Sequence, residues 1–141
     1  MIDHKPGFIS LFLSASLDGL SAEDNRLRNA ELADRLRQTG MMVDRVHGQY
    51  QGVAEESFRV CLNGHSFNAA AREHDTVMAL AREFWQESVL LVLRCGAVYL
   101  WYLGNATPAF IGQWSRVRVD ELDQRDYSCI SGEYFTVRTP S

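Results

Sequence analysis

Ser88-Val-Leu-Leu-Val-Leu93 and Val98-Tyr-Leu-Trp-Tyr-Leu103, joined around Cys95-Gly96, decide how the chain is read. Two apolar runs rich in Val, Leu and aromatic residues, broken by a glycine turn, predict a β-hairpin. Just before it, residues 69–86 carry Val77, Leu80, Ala81 and Phe84 at i, i+3, i+4 and i+7, the stripe of a half-buried helix. Ser57-Phe-Arg-Val-Cys-Leu62 alternates as a strand and is broken by Asn63-Gly64. Residues 48–56 have no period and read as a loop, preceded by a looser strand over Met41-Met-Val-Asp-Arg-Val-His47. Ser21-Ala-Glu-Asp24 opens a helix over 22–39 that Gly40 closes. The short apolar run Phe8-Ile-Ser-Leu-Phe-Leu-Ser14 begins the series as a strand. Beyond the hairpin, Thr107-Pro108 interrupts, 110–119 reads as irregular or edge strand, and 127–131 with 134–138 form a last β segment.

The order β-α-β-β-α-β predicts an α+β fold over a single domain, 1–141: a ferredoxin-like split βαβ unit. Its mainly antiparallel sheet would carry two helices on one face and a C-terminal β extension. If Leu91, Leu93, Tyr99 and Trp101 point to the other face, something must cover them. Nothing in the chain supplies a second helical layer, so a partner subunit is expected there, making a homo-oligomer.

Of 141 residues, 46% are hydrophobic and 23% charged, which excludes a disordered or collagen-like chain. Fourteen Lys+Arg against 18 Asp+Glu give a net charge of −4. That argues against nucleic acid as a partner, since phosphate contacts need clustered cations, and is too mild for a DNA mimic. No apolar run approaches the roughly 20 residues that span a bilayer. The start, Met1-Ile-Asp-His-Lys-Pro6, lacks the basic-then-apolar order of a signal peptide, so a cytoplasmic protein is expected. Cys61, Cys95 and Cys129 form no CxxC and are expected as mostly buried thiols. His4, His47, His65 and His74 never fall at ligand spacing, so a metal site is not expected.

Three constellations could carry chemistry. On the first helix Asn25, Asn29, Leu32 and Leu36 share one stripe, placing two amides on the inward face beside Arg28. They either hydrogen-bond neighbouring loops or line a ligand. Gly48-Gln-Tyr50-Gln-Gly52-Val-Ala-Glu55-Glu56-Ser57-Phe58 presents a tyrosine and two carboxylates before a strand, as a site or as solvated charges. Phe84-Trp85-Gln86-Glu87-Ser88 joins helix to strand without the usual glycine; its aromatics suit core packing, whereas Gln86, Glu87 and Ser88 need another explanation. No GxSxG, HExxH, Walker-type or GxGxxG motif occurs, which disfavours nucleotide-binding Rossmann domains and the common hydrolases.

Several segments, in this order, carry a family likeness. They are Phe12-Leu-Ser14-Ala15, Asn25 with Arg28-Asn29, Gly48-Gln-Tyr50, Glu55-Glu-Ser-Phe-Arg-Val60, Leu80-Ala-Arg running into Trp85-Gln-Glu-Ser-Val-Leu90, and Gly132-Glu-Tyr-Phe-Thr136. Together they resemble the small bacteriophage S-adenosylmethionine (SAM) lyases, formerly called SAM hydrolases, which help phages evade host restriction. The resemblance implies a trimer with active sites between subunits. It also implies cleavage of SAM to 5′-methylthioadenosine and L-homoserine lactone with no metal or cofactor. Tyr50 and a carboxylate, Glu55 or its neighbour Glu56, would then be catalytic. Glu55 is favoured because the spacing Glu-x-Ser-apolar-Arg-Val anchors it to the following strand. Ser14, Ala15, Asn25, Arg28, Asn29, Gln86 and Ser88 would bind substrate. The second reading is a non-catalytic oligomeric ferredoxin-like module that binds a small molecule or a partner protein.

Overall fold

The computed structural model describes residues 9–62, 66–122 and 125–139. Phe8, Asn63-Gly64, His4 and His65 lie outside the described residues. Along the chain run β1 (Ser10–Leu13), α1 (Ala22–Gln38), β2 (Met42–Tyr50), β3 (Val53–Cys61), α2 (Phe67–Glu83), β4 (Ser88–Val92) and β5 (Ala97–Tyr102). They are followed by β6 (Ala109–Val117), a 3-10 turn over Val119–Glu121, β7 (Tyr127–Ile130) and β8 (Glu133–Arg138).

The open ferredoxin-like sheet expected from the sequence does not form. The eight strands close into a barrel in the order β1-β3-β2-β7-β8-β6-β5-β4, every neighbouring pair antiparallel. The four strands on which the expectation rested do lie side by side as β4-β1-β3-β2. The C-terminal strands are not an extension of that sheet but its closure. The stretch expected to be irregular is the nine-residue β6, paired with β5 on one side and β8 on the other. A register shift at Val98/Tyr99 lets the wall bend there.

Closure also removes the need for a partner to cover the sheet. Leu91, Leu93, Tyr99 and Trp101 pack on the helix side, with Leu32 and Leu36 of α1 and Val77, Leu80 and Ala81 of α2. The opposite face is lined by Phe12, Val46, Val92, Val98, Trp114, Ile130 and Phe135, which pack together in the lumen. Trp114 stands between Phe12 and Phe135, with ring centroids 5.1 Å away on each side. An eight-stranded barrel is just wide enough for side chains to fill it, and here the three rings pack across part of it.

The expected loop over 48–56 is instead a tight β-hairpin. Gln51 (φ 53°) and Gly52 (φ 80°) make a two-residue turn with both central residues left-handed, the twist that suits a hairpin. Gln in the first position, where Asn, Asp or Gly is usual, hides the signal. Both helices start on serines whose hydroxyls accept from the backbone three residues on, Ser21 from Asp24 and Ser66 from Ala69. Helix α2 ends in a Schellman motif: Trp85 N–H donates to Arg82 O and Gln86 N–H to Ala81 O. Trp85 itself takes the left-handed position (φ 62°) that glycine normally fills. Cys61 and Cys129 are half-buried and Cys95 is exposed, against the expectation of mostly buried thiols. No helix among the described residues is long and apolar enough to cross a membrane.

Phe135, 2% exposed and stacked on Trp114, reports on closure. Phe135→Ala should cost about 3–5 kcal/mol in urea unfolding, the range for emptying a packed aromatic site. A cost below about 1 kcal/mol would place Phe135 on a loose extension and contradict the closed barrel.

Candidate active site

Where β1 ends, helix α1 grips the chain. Buried Asn29 accepts the Ala15 N–H at 2.8 Å through Oδ1 and donates Nδ2 to Ser16 Oγ (2.8 Å) and Asn25 O (3.1 Å). Asn25 accepts from Leu17 N (2.9 Å) and donates to Leu17 O (3.1 Å). Arg28 donates Nε to Ala15 O at 2.6 Å and Nη2 to Phe84 O, tying the loop to the end of α2. Gln86 Nε2 reaches Ser16 O at 3.1 Å. Thus four residues expected to touch a ligand are committed to the backbone of residues 15–17 and the end of α2. Buried amides that replace water so completely fix a loop in one shape. Ser14 completes the arrangement by donating to Glu56 O at 2.8 Å, which joins the loop to β3.

The hairpin supplies the charge. Gly48 faces Glu55 on β3 and Ser128 on β7. Tyr50 folds back over Gly48, its hydroxyl 2.6 Å from Ser128 Oγ. A Cβ at Gly48 would lie 2.6 Å from both the Tyr50 ring and its hydroxyl, and 2.7 Å from Tyr127 O, so only glycine fits beneath the ring. Glu55 and Ser57 share the lumen side of β3. Glu56 points the other way and meets Arg45 at 3.2 Å.

Burial raises the Glu55 carboxyl above its ordinary value; the Ser14 hydroxyl lowers it in part, and Asp18 raises it further. Burial likewise raises Tyr50, with Ser128 and Ser57 pulling down and Glu55 and Asp126 pushing up. The phenol therefore stays neutral near pH 7 and can donate a hydrogen bond.

Glu55 borders two hollows. One, of about 480 Å³, lies between the β1–α1 loop and the hairpin, and Asn25, Asn29 and Glu56 also face it. The other, of about 260 Å³, opens at the barrel mouth, where Ser14, Tyr50, Gln86 and Ser88 meet Glu55. Ala15 and Arg28 line neither and stand behind the loop. Neither hollow is lined by a histidine or cysteine. The polar groups around them are the carboxylates of Asp18, Glu55 and Glu56, the Arg26 guanidinium, a neutral phenol, hydroxyls and amides. They suit recognition of a cation and supply no activated nucleophile. Among the described residues no cluster of His, Cys, Asp and Glu could hold a metal ion.

A family model described as the S-Adenosylmethionine lyase family matches residues 11–138. The chain belongs to the S-adenosylmethionine lyase family. The match runs from β1 to the end of β8 and so takes in both hollows. Membership assigns the chain to enzymes that degrade SAM by lyase chemistry. No curated protein matches the sequence.

Sequence reasoning overlooked Ser57 and Ser128. Ser57 was open to recognition, because strand alternation puts it on the same side as Glu55. Ser128 meets Tyr50 across 78 residues, and no local pattern announces that contact.

The close fit of Tyr50 over Gly48 is testable. Gly48→Ala should cost about 1–3 kcal/mol and displace the phenol, cutting SAM cleavage by about tenfold or more. Gly52→Ala, left-handed but with open space around it, should cost about 1–2 kcal/mol and keep its activity. Equal activity in the two variants would show that the position of Tyr50 does not matter.

Proposed function

We propose that this SAM lyase converts SAM to 5′-methylthioadenosine and L-homoserine lactone at the Glu55 cluster, without a metal or cofactor. The observation that carries the reading is Glu55: half-buried, shared by both hollows, and set in a site without a nucleophile. In such a site the substrate can attack itself. Its carboxylate oxygen bonds to the γ-carbon of the methionine part, the C–S bond breaks, and sulfur leaves with the electron pair as a neutral thioether. No net proton moves.

Holding the chain folded for that attack can contribute up to about 7–11 kcal/mol. The ammonium keeps its charge throughout, so a carboxylate that grips it holds the folded conformer without opposing bond cleavage. The sulfonium loses its charge in the transition state, so the apolar walls Phe12, Leu90 and Leu100 favour its departure. Neutral Tyr50, with Ser14, Gln86 and Ser88, orients the polar atoms around it. Asn25, Asn29 and Arg28 act one step back, as positioning residues that hold the loop backbone.

The assembly belongs to the same reading: a homo-oligomer, a trimer on the family resemblance, with sites between subunits. What supports it is the rim of the larger hollow, where Leu20 (40%) and Val53 (65%) are exposed. A neighbouring copy seated there would exclude water from Glu55. In a phage-infected cell, loss of cytoplasmic SAM would serve the anti-restriction role that the resemblance implies.

Purified protein incubated with SAM should yield methylthioadenosine and homoserine lactone. Bound SAM without turnover would support the binding module instead. Glu55→Gln should slow cleavage by about 10²-fold or more, the range of single electrostatic contacts at active sites. Glu56→Gln, which weakens only the contact with Arg45, should stay within about threefold. The reverse ranking would transfer the role to Glu56.

Because burial raises the Glu55 pKa, kcat/KM should fall as pH drops through a value above 4.5, and Glu55→Gln should lose that acid limb. The native state then binds this proton more tightly than the unfolded chain does. Stability contributed by this group therefore decreases as pH rises, and Glu55→Gln should match or exceed wild-type stability at pH 7. Light scattering at micromolar concentration should give a mass above the monomer; a fully active monomer would remove the oligomer from the reading.

A further inference from the structure

Tyr50 is the last residue of β2 and lies one residue past the final β2–β7 pair, Gln49 with Tyr127. The ladder to β7 does not reach it, so its side chain is placed by what it touches. Gly48 leaves room beneath the ring. Asp126 accepts the Gln51 N–H at 2.7 Å and holds the turn that follows. Ser128 Oγ lies 2.6 Å from the phenol oxygen. The first two contacts place the ring, and the third engages the hydroxyl. Ser57, which lines the mouth with Tyr50 and Glu55, also lies within reach of the phenol.

Counting protons gives the contact a direction. Ser128 is 4% exposed, and among the described residues its Oγ makes a single hydrogen bond, the one with Tyr50. Only one of the two hydroxyl protons can lie between the oxygens. If Tyr50 donated, the Ser128 proton would be buried without an acceptor, a loss that folding opposes. If Ser128 donates, its hydroxyl is satisfied and the Tyr50 proton remains for the barrel mouth, which Glu55 also lines.

Resting on the lyase reading above, we infer that Ser128 is a positioning residue: it donates its proton to the Tyr50 oxygen and leaves the phenol O–H turned to the mouth. The phenol then faces the substrate as a hydrogen-bond donor. A donor set before the substrate arrives needs no reorientation during the reaction. Ser128 reaches this place from the closing strand of the barrel, 78 residues along the chain from Tyr50. A slip of β7 by one residue would turn its side chain out of the lumen and release the phenol. Strand register and the direction of one proton are in this way coupled.

Kinetics of SAM cleavage separate this role from a purely structural one. Ser128→Ala should lower kcat by about tenfold and leave KM within about threefold, since substrate still binds but is held less well for attack. Ser128→Thr keeps the hydroxyl, and its added methyl has the hollow of about 750 Å³ that Ser128 borders. It should restore kcat to within about threefold of wild type. In a Tyr50→Phe background, Ser128→Ala should change kcat by less than about twofold, because the group it acts through is gone. Should Ser128→Ala fail to fold, Ser128→Thr and Ser128→Val, alike in shape and different in the hydroxyl, make the same comparison. Full kcat without the hydroxyl, no rescue by threonine, or equal loss with and without Tyr50 overturns the proposal. Phenolate absorbance tests it without turnover. The titration of wild type minus that of Tyr50→Phe isolates the Tyr50 phenol. Ser128→Ala, measured against its own Tyr50→Phe variant, should move that midpoint to higher pH, because the lost hydroxyl donated to the phenolate. An unmoved or lower midpoint overturns the proposal whether or not SAM is cleaved. A raised midpoint with SAM left intact keeps the proton arrangement and overturns the lyase reading alone.

Discussion

The pairing of β2 with β7 over only three residue pairs, His47 with Cys129, Gly48 with Ser128 and Gln49 with Tyr127, closes the barrel. Without it the sheet would have two edges and an uncovered apolar face, the situation in which a strand invites a foreign partner. With it, Phe12, Val46, Trp114 and Phe135 share one interior, and the chain covers its own sheet. The same three pairs shape the candidate site. They bring Ser128 opposite Gly48, so that the Tyr50 ring lies over glycine and its hydroxyl finds a partner. Tyr50 in turn meets Glu55 at the barrel mouth, where the Glu55 carboxylate helps to keep the phenol protonated.

In the proposed mechanism, a site of this construction works by holding rather than by attacking. The loop after β1 is fixed by side chains of α1 and by Gln86, and the hairpin by the barrel; the hollows lie between two rigid bodies. Rigidity matters because an internal displacement gains its rate from conformation, and a chain free to unfold loses it. The apolar surroundings of Glu55 serve the same end, since a reaction that destroys a positive charge at sulfur is opposed by water and favoured by its exclusion.

Legibility in the sequence followed the range of the interactions. Helix α1 could be placed within one residue at its C-terminus because its cap, stripe and closing glycine are all local. The hairpin of β4 and β5 was equally readable. The lumen was not: β7 and β8, which carry Ile130 and Phe135, form a local hairpin, but that hairpin meets Trp114 on β6 and closes on β2 only through pairs distant in sequence. A sheet with one hidden closing strand looks open from its sequence. The Asn25/Asn29 stripe was visible as an inward amide pair, but whether amides grip a loop or a ligand depends on where that loop lies. Opposite facing of Glu55 and Glu56 followed from strand alternation, whereas the Arg45 partner that separates them chemically is a cross-strand contact.

The central claim, that substrate folded at Glu55 supplies its own nucleophile, is tested most directly by isotope. Cleavage of SAM in water enriched in oxygen-18 should give homoserine lactone free of label when it is collected before it hydrolyses. Any homoserine formed later from that lactone should carry label only in its carboxylate, because water opens the ring at the carbonyl. Label in the γ-hydroxyl of homoserine would mean that water attacks the γ-carbon, and would contradict the account.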